Sequence, residues 1–303
     1  MIDIGLTLDR TTNFLPANEL AKLVTDIERF GFESVWLLDA FGRDPFLATA
    51  FILANTKTLK VATGVATVYG RDPFGAVQTL QTLSEFYPGR FIMGLGASNP
   101  IVIGKRGGEW VQPLPKMTSY LEGMAQTKLG MVSPAETAPV YIAAHAPGLQ
   151  KLAMKQAQGI VTWMMPSPII ADARERVGPD LNITSEITCV LSTDAEEARR
   201  VARSYLAMYL ALPYYQTAFV KAGFDVEECT AGGGSDRLID SVLAWGSPAD
   251  ILKRVSEFER AGASRLVLNV LRAAPQKAAG DPIVATGDWQ GLEGLGASIF
   301  PAN

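Results

Sequence analysis

Gly42-Arg43-Asp44-Pro45-Phe46 recurs 28 positions later as Gly70-Arg71-Asp72-Pro73-Phe74. Each copy follows an apolar, strand-like run: Ser34-Val35-Trp36-Leu37-Leu38 before the first, Leu59-Lys60-Val61-Ala62-Thr63-Gly64-Val65-Ala66 before the second. Each also opens a helix-like stretch. Asp before Pro starts a helix for a physical reason: the carboxylate takes an orphan backbone N–H, and Pro fits the first helical position. Two strand–loop–helix units with matched starts predict a β/α repeat, the alternative being two unrelated Asp-Pro starts. In such folds the loops after the strands carry the site.

The same alternation extends in both directions. Strands are expected near 2–8, 33–38, 59–66, 90–96, 140–144, 159–163, 183–191 and 265–270, with helical spacing between them (Leu20, Leu23, Val24 and Ile27, for example). Asp194 followed by Glu196 and Glu197 reads as a capped start of a long helix, and Ser247-Pro248 opens the last one. Eight strands alternating with eight helices predict a (β/α)8 TIM barrel, with a doubly wound open sheet as runner-up. Nearly continuous apolar strands fit a sheet covered on both faces. Long excursions are expected at 97–115 and 223–246, after the fourth and seventh strands. No linker splits residues 1–303, so a single domain is expected, with 275–303 a Gly-, Pro- and Ala-rich terminal excursion, partly ordered.

Composition narrows the partners. The 303 residues are 48% apolar, carry a formal charge of −4 and have a pI near 5.2, which provides no basic face for nucleic acid. Cys189 and Cys229 are far apart and outside metal-ligand spacing, so they read as ordinary thiols of a reducing compartment. With one histidine and scattered carboxylates, no metal site is expected. No run of about 18 apolar residues predicts a membrane span, and the first residues read as a strand rather than a signal peptide. A soluble cytoplasmic protein is the expectation.

In a barrel the chemistry gathers at the carboxyl ends of the strands. Asp9, Asp39, Thr67, Tyr69, Ala97-Ser98-Asn99, His145 and Trp163 fall there. Asp39 reads equally well as a turn cap. Gly94-Leu95-Gly96-Ala97-Ser98 resembles a phosphate loop but lacks the third glycine of the dinucleotide fingerprint. His145, the sole imidazole, invites an acid–base role. Its neighbours Ala144, Ala146, Pro147 and Gly148 favour another: a small-residue turn whose backbone N–H groups meet an anion at a helix start.

Val35-Trp36-Leu37-Leu38-Asp39, residues 62–73, Gly89-Arg90-Phe91-Ile92-Met93-Gly94-Leu95-Gly96-Ala97-Ser98 and Val140-Tyr141-Ile142-Ala143-Ala144 stand in the order seen in the luciferase-like flavin and deazaflavin oxidoreductases. The chain most resembles the branch that uses the deazaflavin coenzyme F420, over residues 1 to about 272. The resemblance implies a (β/α)8 barrel with insertions, a cofactor laid across the strand ends, a small organic substrate and commonly a homodimer. It implies that Asp39 is the carboxylate beside the ring. Val65, Ala66 and Thr67 match a bulge that in relatives holds a non-proline cis peptide behind the ring. Ala97 and Ser98 match a segment touching the cofactor. His145, Ala146, Gly148 and Leu149 match the phosphate-side loop. Thr162 and Trp163 fall where relatives contact substrate or cofactor.

Two departures matter. Sugar-phosphate dehydrogenases of the family place a catalytic His where this chain has Ala40, and an acid Glu where it has Asn99. Oxidation of glucose 6-phosphate is therefore not expected, and the proton donor or acceptor stays open among Asp9, Glu109, Tyr69 and solvent, with Asp39 and Asn99 also in catalytic positions. Trp110 either walls the pocket or packs a loop. Lys105, Arg106, Lys151 and Lys155 either meet an anionic cofactor tail or are solvated charges. Three functions follow: an F420-dependent oxidoreductase, an FMN-dependent monooxygenase or reductase on the same barrel, or a cofactor-binding protein without turnover.

Overall fold

A computed structural model of the chain describes residues 2–8, 10–39, 41–230, 232–272 and 288–301. The strands are β1 (Asp3–Leu8), β2 (Ser34–Leu37), β3 (Lys60–Thr63), β4 (Ala66–Thr67), β5 (Phe91–Gly96), β6 (Val140–Ala143), β7 (Gly159–Thr162), β8 (Asn182–Val190), β9 (Leu243–Trp245) and β10 (Arg265–Leu271). The helices are α1 (Ala17–Arg29), α2 (Pro45–Asn55), α3 (Pro73–Phe86), α4 (Pro100–Lys105), α5 (Pro113–Gln126), α6 (Pro147–Gln156), α7 (Ser167–Val177), α8 (Ala195–Leu210), α9 (Pro213–Lys221), α10 (Asp236–Val242), α11 (Pro248–Arg260) and α12 (Leu292–Ile299).

All strand pairs are parallel, and β10 pairs with both β1 and β8, which closes the ring. Eight strands make the barrel; β4 continues the third strand along β5, and β9 is an added short strand on β8. The open-sheet alternative is thereby removed. Both repeated helix starts form as their chemistry requires. Asp44 accepts from the N–H groups of Phe46 and Leu47, Asp72 accepts from Gly75 N–H, and proline follows each cap. Asp194 likewise caps α8, and Ser247 with Asp250 forms a capping box on α11.

Three expectations are refined. The third strand breaks between Thr63 and Ala66, where the Gly64–Val65 peptide is cis. The excursion at 97–115 contains α4, and residues 223–246 hold a 3-10 turn (Val226–Cys229), α10 and β9. In the terminal excursion α12 is helical, buries Leu292, Leu295 and Ile299, and ends with Phe300 edge-on to Phe32 at 5.6 Å. Most of the preceding stretch lies outside the described residues.

The barrel interior is layered. Trp36, Ala62, Ile92, Tyr141, Val161 and Val267 form an apolar plug, separate from the larger core between strands and helices. Beneath it Arg265 pairs with Asp3 and lies 5.9 Å from the Trp36 ring. The plug is a floor for anything bound at the carboxyl rim.

Candidate active site at the carboxyl rim

Asp39 lies just past β2 with its side chain only 9% exposed. Oδ2 accepts from the N–H of Thr67 at 3.0 Å, and Oδ1 accepts from Arg106 Nη1 at 3.1 Å. The carboxylate thus ties the second strand end to the bulge after the third and to the loop after α4. It does not cap a turn of its own. Arg106, read from the sequence as either a contact to an anionic cofactor tail or a solvated charge, is instead the partner of Asp39. Beside this pair lies a cavity of about 210 Å³, lined among others by Asp39, Arg43, Asp44, Thr67, Arg71 and Arg106. Both repeated loops therefore face one recess.

The bulge of Val65, Ala66 and Thr67 fits because β5 is thin where it packs. A Cβ on Gly94 would stand 1.9 Å from the Thr63 carbonyl oxygen, and one on Gly96 would stand 2.6 Å from Val65 Cγ2. Only glycine permits that approach. The Thr63 hydroxyl donates to the Gly94 carbonyl at 2.6 Å and locks the two strands. Gly64 is wedged between rings: a Cβ there would meet Trp36 at 3.1 Å and Trp163 at 3.8 Å.

Ala97 and Ser98 follow β5, with Ser98 in the left-handed region (φ 53°). Trp110 Nε1–H donates to the Ala97 carbonyl at 3.2 Å, so this ring is anchored to the rim. The Tyr69 hydroxyl accepts from Val111 N–H at 2.7 Å. Residues 106–111 therefore strap the ends of β2, β4 and β5 together. The Asn99 side chain caps α4 by accepting from Val102 N–H at 3.0 Å. Glu109 is exposed, and Asp9 and Ala40 lie outside the described residues.

His145 follows β6. Its Nε2 accepts the Trp163 N–H at 3.1 Å, and burial pushes the imidazole down to about 4. The ring is therefore uncharged at neutral pH, with Nε2 the acceptor and its one ring proton on Nδ1. The turn it begins leads into α6, whose N-cap Ala146 provides no side-chain bond, followed by Pro147, Gly148 and Leu149. The helix start is thus left with its N–H groups uncapped, a cradle suited to an anion.

Thr162 is turned away from the barrel axis: it is 1% exposed and its hydroxyl bonds Ser185 Oγ at 2.9 Å. Trp163 is oriented by an Nε1–H bond to the Tyr209 hydroxyl at 2.9 Å. Around it Tyr205, Tyr209, Tyr214 and Tyr215 stack with centroids 4.4–5.3 Å apart, and His145 meets Tyr215 edge-on at 5.6 Å. The Tyr205/Tyr209 pair at i, i+4 on one helix was the sequence signal for this wall.

Sequence reasoning also passed over Glu186, a single charge inside the apolar strand β8 and 1% exposed. It accepts from Met164 N–H at 3.2 Å and from the Thr188 hydroxyl at 2.5 Å. The Thr188 oxygen in turn accepts from Asn269 Nδ2 at 3.3 Å. Met164 is held in the left-handed region (φ 54°). A carboxyl isolated in a buried strand was the signal.

The closed parallel barrel thus carries at its carboxyl rim a recess beside the Asp39 carboxylate and, on another side, the uncapped start of α6. Residues 4–265 match the model of the luciferase-like monooxygenase family, and the chain belongs to that family. It is 23% identical over 294 residues to a 5,10-methylenetetrahydromethanopterin reductase of Archaeoglobus fulgidus, covering 82% of this chain and 88% of that protein. An F420-dependent secondary alcohol dehydrogenase bound to an F420-acetone adduct superposes with a TM-score of 0.72 at 17% identity (91% of this chain, 94% of that one). The oxygenating component of 3,6-diketocamphane monooxygenase from Pseudomonas putida, in complex with FMN, superposes with a TM-score of 0.68 at 16% identity (99% and 98%).

Proposed function

We propose that the chain is an F420-dependent oxidoreductase that moves hydride between the deazaflavin and a small organic substrate. The observation that carries this reading is the Asp39 carboxylate beside the Val65–Thr67 bulge, on the same rim as the uncapped start of α6. Asp39 and the bulge backbone would hold the ring, Ala97 and Ser98 its edge, and Ala146, Gly148 and Leu149 the phosphate. When bound, the deazaflavin supplies a ring carbon that gives or takes two electrons as hydride. The protein's part is to orient and to exclude water: Trp163 and the tyrosines wall the site, and the Trp36 layer floors it. Asn99 is committed to its cap, and Thr162 reaches the rim through its backbone alone.

The resemblance to F420 enzymes among the relatives favours F420 over FMN. The test is incubation with each cofactor, desalting and an absorbance spectrum. F420 should be retained; retention of FMN alone overturns the reading in favour of a flavin monooxygenase or reductase. Asp39→Ala should weaken F420 binding about 10- to 100-fold, as expected for a lost charge-assisted hydrogen bond, with an unchanged far-UV spectrum. Retained cofactor without turnover of any carbonyl, imine or alcohol would point to a binding protein.

A homodimer is part of the proposal. Phe41, Leu47 and Phe74, 63%, 71% and 50% exposed, stand at the starts of neighbouring units, where a second copy would cover them. Light scattering should give twice the chain mass, and Leu47→Glu should shift it to a monomer. Among the described residues no helix is long and apolar enough to cross a membrane. We place the reaction in the cytoplasm, consistent with the free buried thiols of Cys189 and Cys229.

A further inference from the structure

The recess beside Asp39 belongs to one sector of the rim. Its described lining comes from the ends of β2 and β4, the loops that follow them, and Arg106 after α4. Arg43, Arg71 and Arg106 stand there against Asp39 and Asp44, an excess of one positive charge in a chain whose formal charge is −4. Arg106 Nη1 donates to Asp39 Oδ1, and its Nη2 stands 3.6 Å from where a Cβ on Gly70 would be, so its head lies against the second repeated loop. Arg71 Nη2 donates to Asp44 Oδ2 at 3.0 Å and its Nη1 to Thr79 Oγ1 at 3.2 Å, with the guanidinium 4.9 Å from the centre of the Phe46 ring. The arginine of the second repeat thus pairs with the aspartate of the first.

Arg43 has no carboxylate partner among the described residues: its Nη1 and Nη2 donate to the carbonyls of Thr12 and Leu15. A guanidinium has five N–H groups, so donors remain on Arg71 and Arg106 after the bonds above. Both heads are about one-third exposed and can be reached from solvent. The start of α2 supplies none of this, because Asp44 Oδ1 already takes the N–H groups of Phe46 and Leu47.

We propose that this recess is a carboxylate-binding site, and that the substrate is an organic acid anchored in it by Arg71 and Arg106; the substrate role rests on the F420 reading above. A planar guanidinium matches a carboxylate in a two-bond geometry, and the carboxylate behind each head fixes its orientation. An excess of one positive charge suits a monoanion better than a phosphate dianion. The cavity of about 210 Å³ is smaller than the roughly 300–1,000 Å³ that drug-sized ligands occupy, so it takes a small group and leaves the tricyclic ring to the strand ends. Asp39 lines the recess and also bonds the bulge at Thr67, so an acid held here has the rest of its atoms on the rim assigned to the ring.

The test is calorimetric titration of the full chain, without cofactor and then loaded with F420, at constant ionic strength. The probes are pyruvate and its neutral amide, pyruvamide, with inorganic phosphate as competitor. Pyruvate should bind at least about 10-fold more tightly than pyruvamide in both states, as expected for a charge-assisted pair of hydrogen bonds. Arg43→Gln removes the one cation without a carboxylate partner and should weaken pyruvate binding about 3- to 10-fold. Asp44→Asn, which keeps a capping side chain on α2, should strengthen it by a similar factor. Opposite signs from these two variants are what a purely structural role would not give, and either variant serves if the other fails to fold. Equal binding of pyruvate and pyruvamide, no pyruvate binding, or an affinity that neither variant moves overturns the carboxylate site. Phosphate that displaces pyruvate at lower concentration than pyruvate itself needs overturns the preference for a carboxylate. Pyruvate binding that disappears on F420 loading gives the recess to the cofactor and overturns the substrate role. A chain that binds pyruvate as expected but retains no F420 removes the oxidoreductase reading and the substrate role with it, and the carboxylate site stands.

Discussion

Trp36→Ala is expected to lower the unfolding free energy by about 3–5 kcal/mol, the range for deleting a large buried aromatic. Trp36 is fully buried, its ring is 6.4 Å from Tyr141, and its Nε1–H donates to Ser34 Oγ at 3.1 Å. The strands around it cannot close on the gap, because their spacing is set by the ring of hydrogen bonds. Gly64 rests on the same indole, so the variant should also lose cofactor affinity. Chemical denaturation with F420 titration measures both. Trp36→Phe should restore most of the stability; a Trp36→Ala protein within about 1 kcal/mol of wild type would mean that the plug is not packed as described.

The second large effect is pH-dependent, and the two buried groups act in opposite directions. Glu186 rises from 4.5 to about 7 on folding, so the unfolded chain loses this proton first. Stability is therefore free of penalty below the unfolded value and falls as pH rises from there through about 7, by roughly 3 kcal/mol. His145 falls from 6.5 to about 4, so its penalty is absent above the unfolded value and grows as pH drops toward the folded one. Between the two unfolded values the folded state keeps both groups neutral, and there their joint contribution is best. Glu186→Gln should be more stable than wild type by up to about 3 kcal/mol at about pH 8, with the gain vanishing near pH 4. Urea unfolding across pH measures the difference; a gain that persists undiminished in acid would show that packing, not ionisation, is responsible.

Legibility differed between fold and site. Asp44 and Asp72 were readable as caps because capping is local: a side chain meets N–H groups two or three residues away. The start of α6 after His145 was local too, since a helix start without a side-chain cap is written in Ala146-Pro147-Gly148. Arg106 was not readable as the partner of Asp39, because 67 residues separate them and several exposed cations stood in the same loop. Trp110 had two readings, and its bond to the Ala97 carbonyl makes it an anchor of the strap at the rim.

The amino-acid order alone determined the succession of strands and helices and which residues fall at the carboxyl rim, because periodicity, caps and turns act over a few residues. Tertiary structure decided that the ring closes, that Thr162 faces away while Trp163 faces in, and that Glu186 is desolvated within β8. Burial and the meeting of distant strands set those outcomes, and neither belongs to any single segment of the chain.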